Sequence, residues 1–136
     1  MYEIGPRSAE DQGVTLVSLS GRAEAETILR LLEELNTLAE RHNSLRVLID
    51  ETGLGPGFVG PTDIQKILAA WRRATSLRTT RVAVLASNLA IYGLNRMFQG
   101  LAGRDAEGRV RIFTNRAPAT AWLHEAEDLP REKVAS

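Results

Sequence analysis

The sequence predicts an α/β domain with a mainly parallel five-stranded sheet, one antiparallel edge strand and four helices. Short apolar segments, typical of buried strands, alternate along the chain with longer segments whose apolar residues recur at helical spacing. The 136 residues, 43% of them hydrophobic and 25% charged, have the size and composition of one globular domain. We therefore place a single domain at residues 1–125 and a charged C-terminal tail at residues 126–136.

The first third of the chain predicts two strands and one helix. Residues 2–4 read as a short edge strand, and residues 14–19 are apolar in both alternating registers, as in a strand buried on two faces. Only these two strands are joined by a connection short enough for antiparallel pairing. The helix spans residues 24–41, because six apolar side chains form one stripe: Ile28, Leu31, Leu32, Leu35, Leu38 and Ala39.

Three further strands follow, and each precedes a helix. Residues 47–49, 82–85 and 109–113 are short and rich in β-branched side chains, and we place the first of them at the centre of the sheet. Strands that alternate with helices pair in parallel through right-handed crossovers. The three helices are expected to begin at Thr62, at Ser87 or Asn88, and just before Pro118. The first of these helices is also expected to carry an apolar stripe, formed by Ile64, Ile67, Leu68, Trp71 and Ala74.

A glycine-rich loop is predicted between the central strand and the helix at Thr62. Its segment 55–60 has the G-x-G-x-x-G spacing of dinucleotide sites, but Pro56 lacks an amide proton and no carboxylate follows about twenty residues later. We therefore expect a plain connecting loop rather than a nucleotide site. Asp50 and Glu51, at the predicted end of the strand, are expected to be solvated.

Two pairs of polar residues mark the predicted helix starts. Thr62 and Asp63 open the second helix, and Gln65 completes a capping box with Thr62 as the cap. Ser87 and Asn88 open the third helix at the end of a parallel strand. Ligands and partners of open α/β sheets are met at the carboxyl ends of the strands, so these four residues are candidates for partner binding.

Several apolar side chains near the same end of the sheet are candidates for a ligand pocket or an interface. One interpretation packs them under the loop and against the core. The other has them line a pocket or form a docking surface, such as a homodimer contact. They are Leu54, Phe58, Val59, Ile91, Tyr92 and Met97.

Composition excludes several functions. The chain has no cysteine, its histidines lack metal-ligand spacing, and no catalytic constellation is recognisable, so we predict no catalytic residue, metal or cofactor. Its net charge is zero, which argues against nucleic acid, although residues 1–68 hold 6 basic and 11 acidic side chains and residues 69–136 hold 11 and 6. We expect neither a signal peptide nor a membrane span, and a cytoplasmic location.

Several short segments resemble the STAS family, the fold of bacterial anti-sigma factor antagonists. The likeness spans about residues 2–125 and is closest to the divergent SpoIIAA-like branch, which is also similar to the lipid-binding CRAL-TRIO (SEC14-like) fold. The likeness is carried by four short segments of predicted strand and helix. They are Val17-Ser18-Leu19-Ser20-Gly21-Arg22, Arg46-Val47-Leu48-Ile49-Asp50, Arg81-Val82-Ala83-Val84-Leu85-Ala86-Ser87-Asn88 and Ala119-Thr120-Ala121-Trp122-Leu123.

The resemblance implies a SpoIIAA-like (βα) superhelix with strands mostly in sequential order. It also implies a non-enzymatic cytoplasmic regulatory module that binds a protein partner or a second copy of itself. Classical antagonists carry a phosphorylatable Ser or Thr in an Asp-Ser-Ser-Gly-like motif at the second helix; that motif is absent here, and only Thr62 could substitute. The alternative is a binder of a small apolar or lipid-like ligand. An enzyme is the third hypothesis.

Overall fold

The computed structural model describes residues 2–5, 13–42, 45–55, 57, 59–86, 89–103 and 109–125. Within them lie five strands and four helices. The strands are β1 (Tyr2–Ile4), β2 (Val14–Arg22), β3 (Arg46–Gly55), β4 (Arg81–Leu85) and β5 (Val110–Phe113). The helices are α1 (Ala25–Arg41), α2 (Pro61–Arg73), α3 (Leu89–Ala102) and α4 (Arg116–Glu125), with a single 3₁₀ turn at Leu77–Thr79.

The five strands form one sheet in the order β1-β2-β3-β4-β5. β1 runs antiparallel to β2, and the remaining neighbours are parallel. This confirms the predicted α/β class, the antiparallel edge strand and the four helices. The predicted tail, residues 126–136, lies outside the described residues.

The helices cover the sheet unequally because of its sequential strand order. Each parallel crossover advances by one strand in the same direction, so right-handed connections bring α1, α2 and α3 to one face. The side chains of Val47 and Ile49 pack in the core beneath these helices. Leu48, between them, points to the other face and packs with Trp122 and Leu123 of α4. The larger core therefore lies under three helices and the smaller under one.

β3 is much longer than the sequence indicated. We predicted that the strand ended near Ile49 and that a loop began at Glu51, but the strand continues to Gly55 and pairs with β2 along most of its length. The glycines concealed this extension, because glycine is rare in strands. Gly57 follows the strand in close contact with the backbone of Ala23, and an added Cβ there would overlap the Ala23 carbonyl oxygen.

The paired stretch of β3 contains a bulge. Ser18 of β2 pairs with Asp50 and Ser20 with Gly53, so β3 holds one residue more than its partner over this stretch. The Oδ1 atom of Asp50 accepts hydrogen bonds from the backbone N–H of Thr52 at 2.9 Å and from its hydroxyl at 2.6 Å. Asp50 thereby satisfies polar groups beside the irregular backbone.

The start of α2 corrects the predicted capping box. The N-cap is Gly60, whose backbone N–H donates to Oδ2 of Asp63 at 3.0 Å, and Pro61 is the first helical residue. Proline suits that position because its missing amide proton would have no partner within the helix. Thr62 is therefore the second helical residue and is exposed, so the prediction that it caps the helix with Gln65 was wrong.

Candidate functional site

A cavity of about 120 Å³ lies in the larger core, between the sheet and helices α1 to α3. Side chains from four strands form the sheet wall, and side chains from the three helices and the loop before α2 form the opposite one. Among the described residues, its lining is apolar except for two, Glu51 and Asn95. The apolar residues are Leu19, Ile28, Leu31, Leu32, Ile49, Val59, Ile64, Ile67, Trp71, Val82, Val84, Phe98 and Val110.

The alternation of the strands explains which side chains reach the cavity. Ile49 of β3 and both Val82 and Val84 of β4 face the three helices and form part of its wall. On α2, Ile64, Ile67 and Trp71 are spaced three and four residues apart, so one helical stripe covers the cavity from the other side. The predicted apolar stripe of α2 thus forms a wall of the cavity.

Half-buried side chains mark the side on which the cavity approaches solvent. They come from the first half of α1, the loop before α2 and the middle of α3. They are Ile28, Leu32, Val59, Asn95 and Phe98. A small molecule that enters here has to displace only side chains that are already partly exposed, rather than the fully packed side chains of the strands.

Among the described residues of the cavity wall, Glu51 is the ionisable one, and it is buried with 9% of its surface exposed. This corrects the expectation that both carboxylates at the end of the strand are solvated. Glu51 follows Val47 and Ile49 at every second position, so its side chain points to the same face as theirs. Its Oε1 atom accepts a hydrogen bond from Nδ2 of Asn95 at 2.7 Å.

Burial raises the pKa of Glu51 to about 7, since the charged carboxylate loses solvation inside the apolar wall. The hydrogen bond from Asn95 opposes this rise in the pKa, and the negative charge of Asp50 adds to it. Asn95 itself is held on α3 by a second bond from Nδ2 to the carbonyl oxygen of Ile91 at 3.0 Å. Glu51 therefore gains and loses a proton near neutral pH.

The bulge in β3 restores the apolar alternation beyond Glu51. Leu54 is buried and packs in the same core as Ile49, although it lies five positions further on, where strict alternation would place it on the opposite face. The inserted residue accounts for this change of face. β3 therefore presents Ile49, Glu51 and Leu54 in turn to the helices.

The structure distributes the other predicted apolar residues over several environments. Val59 lines the cavity, Ile91 is buried in the larger core, and Tyr92 packs partly buried against that core. Met97 is a large apolar side chain that is 52% exposed. Phe58 lies outside the described residues. Among the candidates that the structure describes, Val59 is thus the one in the cavity wall.

Two of the four predicted polar candidates, Thr62 and Asp63, lie in the first turn of α2. Thr62 is exposed in the first turn of α2, and the Asp63 carboxylate beside it is engaged with the Gly60 amide. Ser87 and Asn88 lie outside the described residues. The contact between Glu51 and Asn95 was not predicted, although the sequence position of each residue indicates a side chain that faces the core. Glu51 continues the apolar alternation of β3, and Asn95 lies one helical turn after the core residue Ile91.

Within the described ranges, no helix has the length and apolar character needed to cross a membrane. The same residues contain no group of three or more His, Cys, Asp or Glu side chains arranged to hold a metal ion. Comparison with known proteins adds no relative: no protein-family model matches the chain, and no curated protein matches it either.

Proposed function

We propose that this chain is a STAS-like, non-enzymatic binding domain whose ligand is a small apolar molecule. The observation that carries the proposal is the cavity of about 120 Å³ between the sheet and three helices, lined by apolar side chains and one polar pair. A cavity of roughly this size, 150 Å³ in an engineered protein, takes up benzene. Buried apolar walls supply the affinity, and Glu51 with Asn95 supplies orientation.

Binding rather than catalysis is proposed because of what surrounds the carboxyl group. Among the described residues of the cavity wall, Glu51 has one polar neighbour, Asn95, and the wall contains no Ser, Cys, Lys or His that could act as a nucleophile or share a proton. We further propose that the domain acts in the bacterial cytoplasm, as the resemblance to the STAS family implies.

The test is binding of toluene to the full chain. Binding is detected by changes in NMR chemical shifts and by a rise in the urea midpoint of unfolding. A ligand at 100 times its dissociation constant stabilises the folded state by about 2.7 kcal/mol. Val84→Phe places a ring inside the cavity and is expected to abolish the toluene effect. Leu85→Met changes the next residue of β4, which faces the other core, and serves as the matched control. Equal toluene binding by both variants would contradict the proposal.

A second candidate function is binding of a protein partner at the start of α2. It is favoured by Thr62, which is exposed and has no capping role. A phosphate there would add about two negative charges beside Asp63, whose carboxylate holds the Gly60 amide. Val59 and Ile64, which flank Thr62 in sequence, both line the cavity, so this surface and the ligand site share a segment.

The second candidate is tested with three baits in a quantitative pull-down. A partner controlled by phosphorylation is retained by the wild-type chain and by Thr62→Ala and is lost with Thr62→Glu. Equal retention on all three baits would remove Thr62 as a switch.

Self-association is measured separately by sedimentation, where Met97→Asp should weaken a dimer built on the exposed Met97 side chain.

A further inference from the structure

The Glu51 carboxylate has no cationic partner in the described part of the chain. The described residues of the cavity wall include no Lys, Arg or His, and the hydrogen bond that they give the carboxylate comes from the neutral amide of Asn95. An ionised carboxylate that is buried without a countercharge is costly, and buried charges in proteins are normally paired. The described residues of the site therefore supply no positive charge next to the carboxylate, and a ligand could supply it.

The hydrogen-bonding capacity of Asn95 indicates the same kind of ligand. Its Nδ2 atom already donates to Oε1 of Glu51 and to the carbonyl oxygen of Ile91, so both amide protons are used. Among the described residues, no hydrogen bond reaches Oε2 of Glu51 or Oδ1 of Asn95. Neither atom is among the fully buried side-chain atoms without a partner, so both remain accessible to a donor. When Glu51 is ionised, the pair offers two acceptors, and the ligand group that fits is a donor.

We propose that the ligand is a small primary amine with an apolar body, and that its ammonium group donates to Oε2 of Glu51 and Oδ1 of Asn95. This inference rests on the proposed function, because it assigns the ligand class of the same cavity. The ammonium supplies three N–H donors and the charge that Glu51 lacks. The volume of about 120 Å³ restricts the body to about the size of a benzene ring.

The protonation of Glu51 makes amine binding depend on pH. A primary amine ionises much as a lysine side chain does, with a pKa of about 10.4, and stays charged from pH 5.5 to pH 8.5. The charged group nearest Glu51 along β3 is Asp50, and α1, α2 and α3 contribute apolar side chains and Asn95 to the wall. The amine therefore binds tightly only where Glu51 is ionised, and binding at lower pH releases a proton.

The experiment compares benzylamine, benzyl alcohol and toluene as probes for the full chain by calorimetry or NMR titration at pH 8.5. We expect benzylamine to bind at least about ten times more tightly than benzyl alcohol, since charged hydrogen bonds are the stronger ones. Glu51→Gln keeps the size of the side chain and an acceptor for Asn95. It should weaken benzylamine at least ten times more than it weakens toluene. Benzylamine should also weaken at least tenfold at pH 5.5 in the wild-type chain only.

The outcomes separate this inference from the proposed function. Toluene binding together with equal affinities for benzylamine and benzyl alcohol, or with no effect of Glu51→Gln on benzylamine, would overturn the amine assignment alone. Failure of all three probes to bind would overturn the apolar ligand site itself. A benzylamine affinity that is the same at pH 5.5 and pH 8.5 would show that the carboxylate does not receive the ammonium.

Discussion

Replacing Glu51 with glutamine is expected to stabilise the protein at alkaline pH and to have little effect at acidic pH. The folded protein holds the proton of Glu51 up to a pKa of about 7, whereas the unfolded chain releases it near 4.5. Between these values the folded state binds more protons than the unfolded state, so stability falls as pH rises. The loss begins near pH 4.5 and is complete above pH 7.

The size of this loss follows from the shift in the pKa. A rise from 4.5 to about 7 corresponds to about 3 kcal/mol of unfolding free energy, and Glu51 is buried enough for the full figure to apply. The neutral amide that Glu51→Gln introduces does not titrate and still accepts the hydrogen bond from Asn95. The stability difference between variant and wild type is therefore expected to grow by most of that amount between pH 5 and pH 8.5.

The assay is urea unfolding of the two proteins at pH 5, 6, 7 and 8.5. With a slope of about 2 kcal/mol/M, the midpoint of Glu51→Gln should rise relative to wild type by about 1 M across this range. Glu33→Gln changes an exposed carboxylate on α1 and controls for the loss of one charge. A stability difference between Glu51→Gln and wild type that stays constant with pH would refute the burial of a carboxyl group without a cationic partner.

Three further predictions test local features by urea unfolding. Gly57→Ala should lower the free energy of unfolding by about 2 kcal/mol, because a Cβ there meets the Ala23 backbone. Gly93→Ala, where the Cβ meets nothing within 4 Å, should stabilise α3 by up to about 1 kcal/mol. Equal effects of the two changes would refute the contact. Asp63→Ala should lower the free energy of unfolding by about 1 kcal/mol, because the hydrogen bond from Gly60 is lost. Thr62→Ala should lower it by less than about 0.5 kcal/mol. A larger loss for Thr62→Ala than for Asp63→Ala would identify Thr62 as the cap. Asn36→Ala should cost about 1 to 2 kcal/mol, since Oδ1 of Asn36 accepts from the buried Leu77 amide at 2.9 Å; a neutral result would show that water replaces this bond.

The order of elements and most of the core were predictable from apolar periodicity. The stripe of α1 that contains Leu31 and Leu35 and the stripe of α2 that contains Ile67 and Trp71 are both buried as expected. The STAS resemblance implied the sequential sheet order, and the structure has it. The element order and the apolar stripes depend on local repetition, which one sequence displays directly.

The cavity and its polar pair were not predictable, because they depend on contacts between distant segments. Glu51 and Asn95 lie 44 positions apart, and neither apolar stripe indicates that the packed helices leave a space between them. The glycines after Thr52 favoured a loop over a strand, so Glu51 was assigned to solvent. Helix capping was misplaced for a different reason. Thr and Gly are about equally good N-cap residues, and the bond from Asp63 and the proline at position 61 place the start at Gly60.

A glutamine at position 51 would satisfy the structural role at less cost. It would accept the bond from Asn95 and would avoid the loss of about 3 kcal/mol above pH 7, which is a large part of a total stability of about 5–15 kcal/mol. A bound ammonium removes that loss, because the carboxylate then has its countercharge. Glu51→Gln should therefore raise stability in the absence of ligand and lower benzylamine affinity in the same preparation. A variant in which both quantities fall would show that residue 51 contributes to packing and does not recognise an amine.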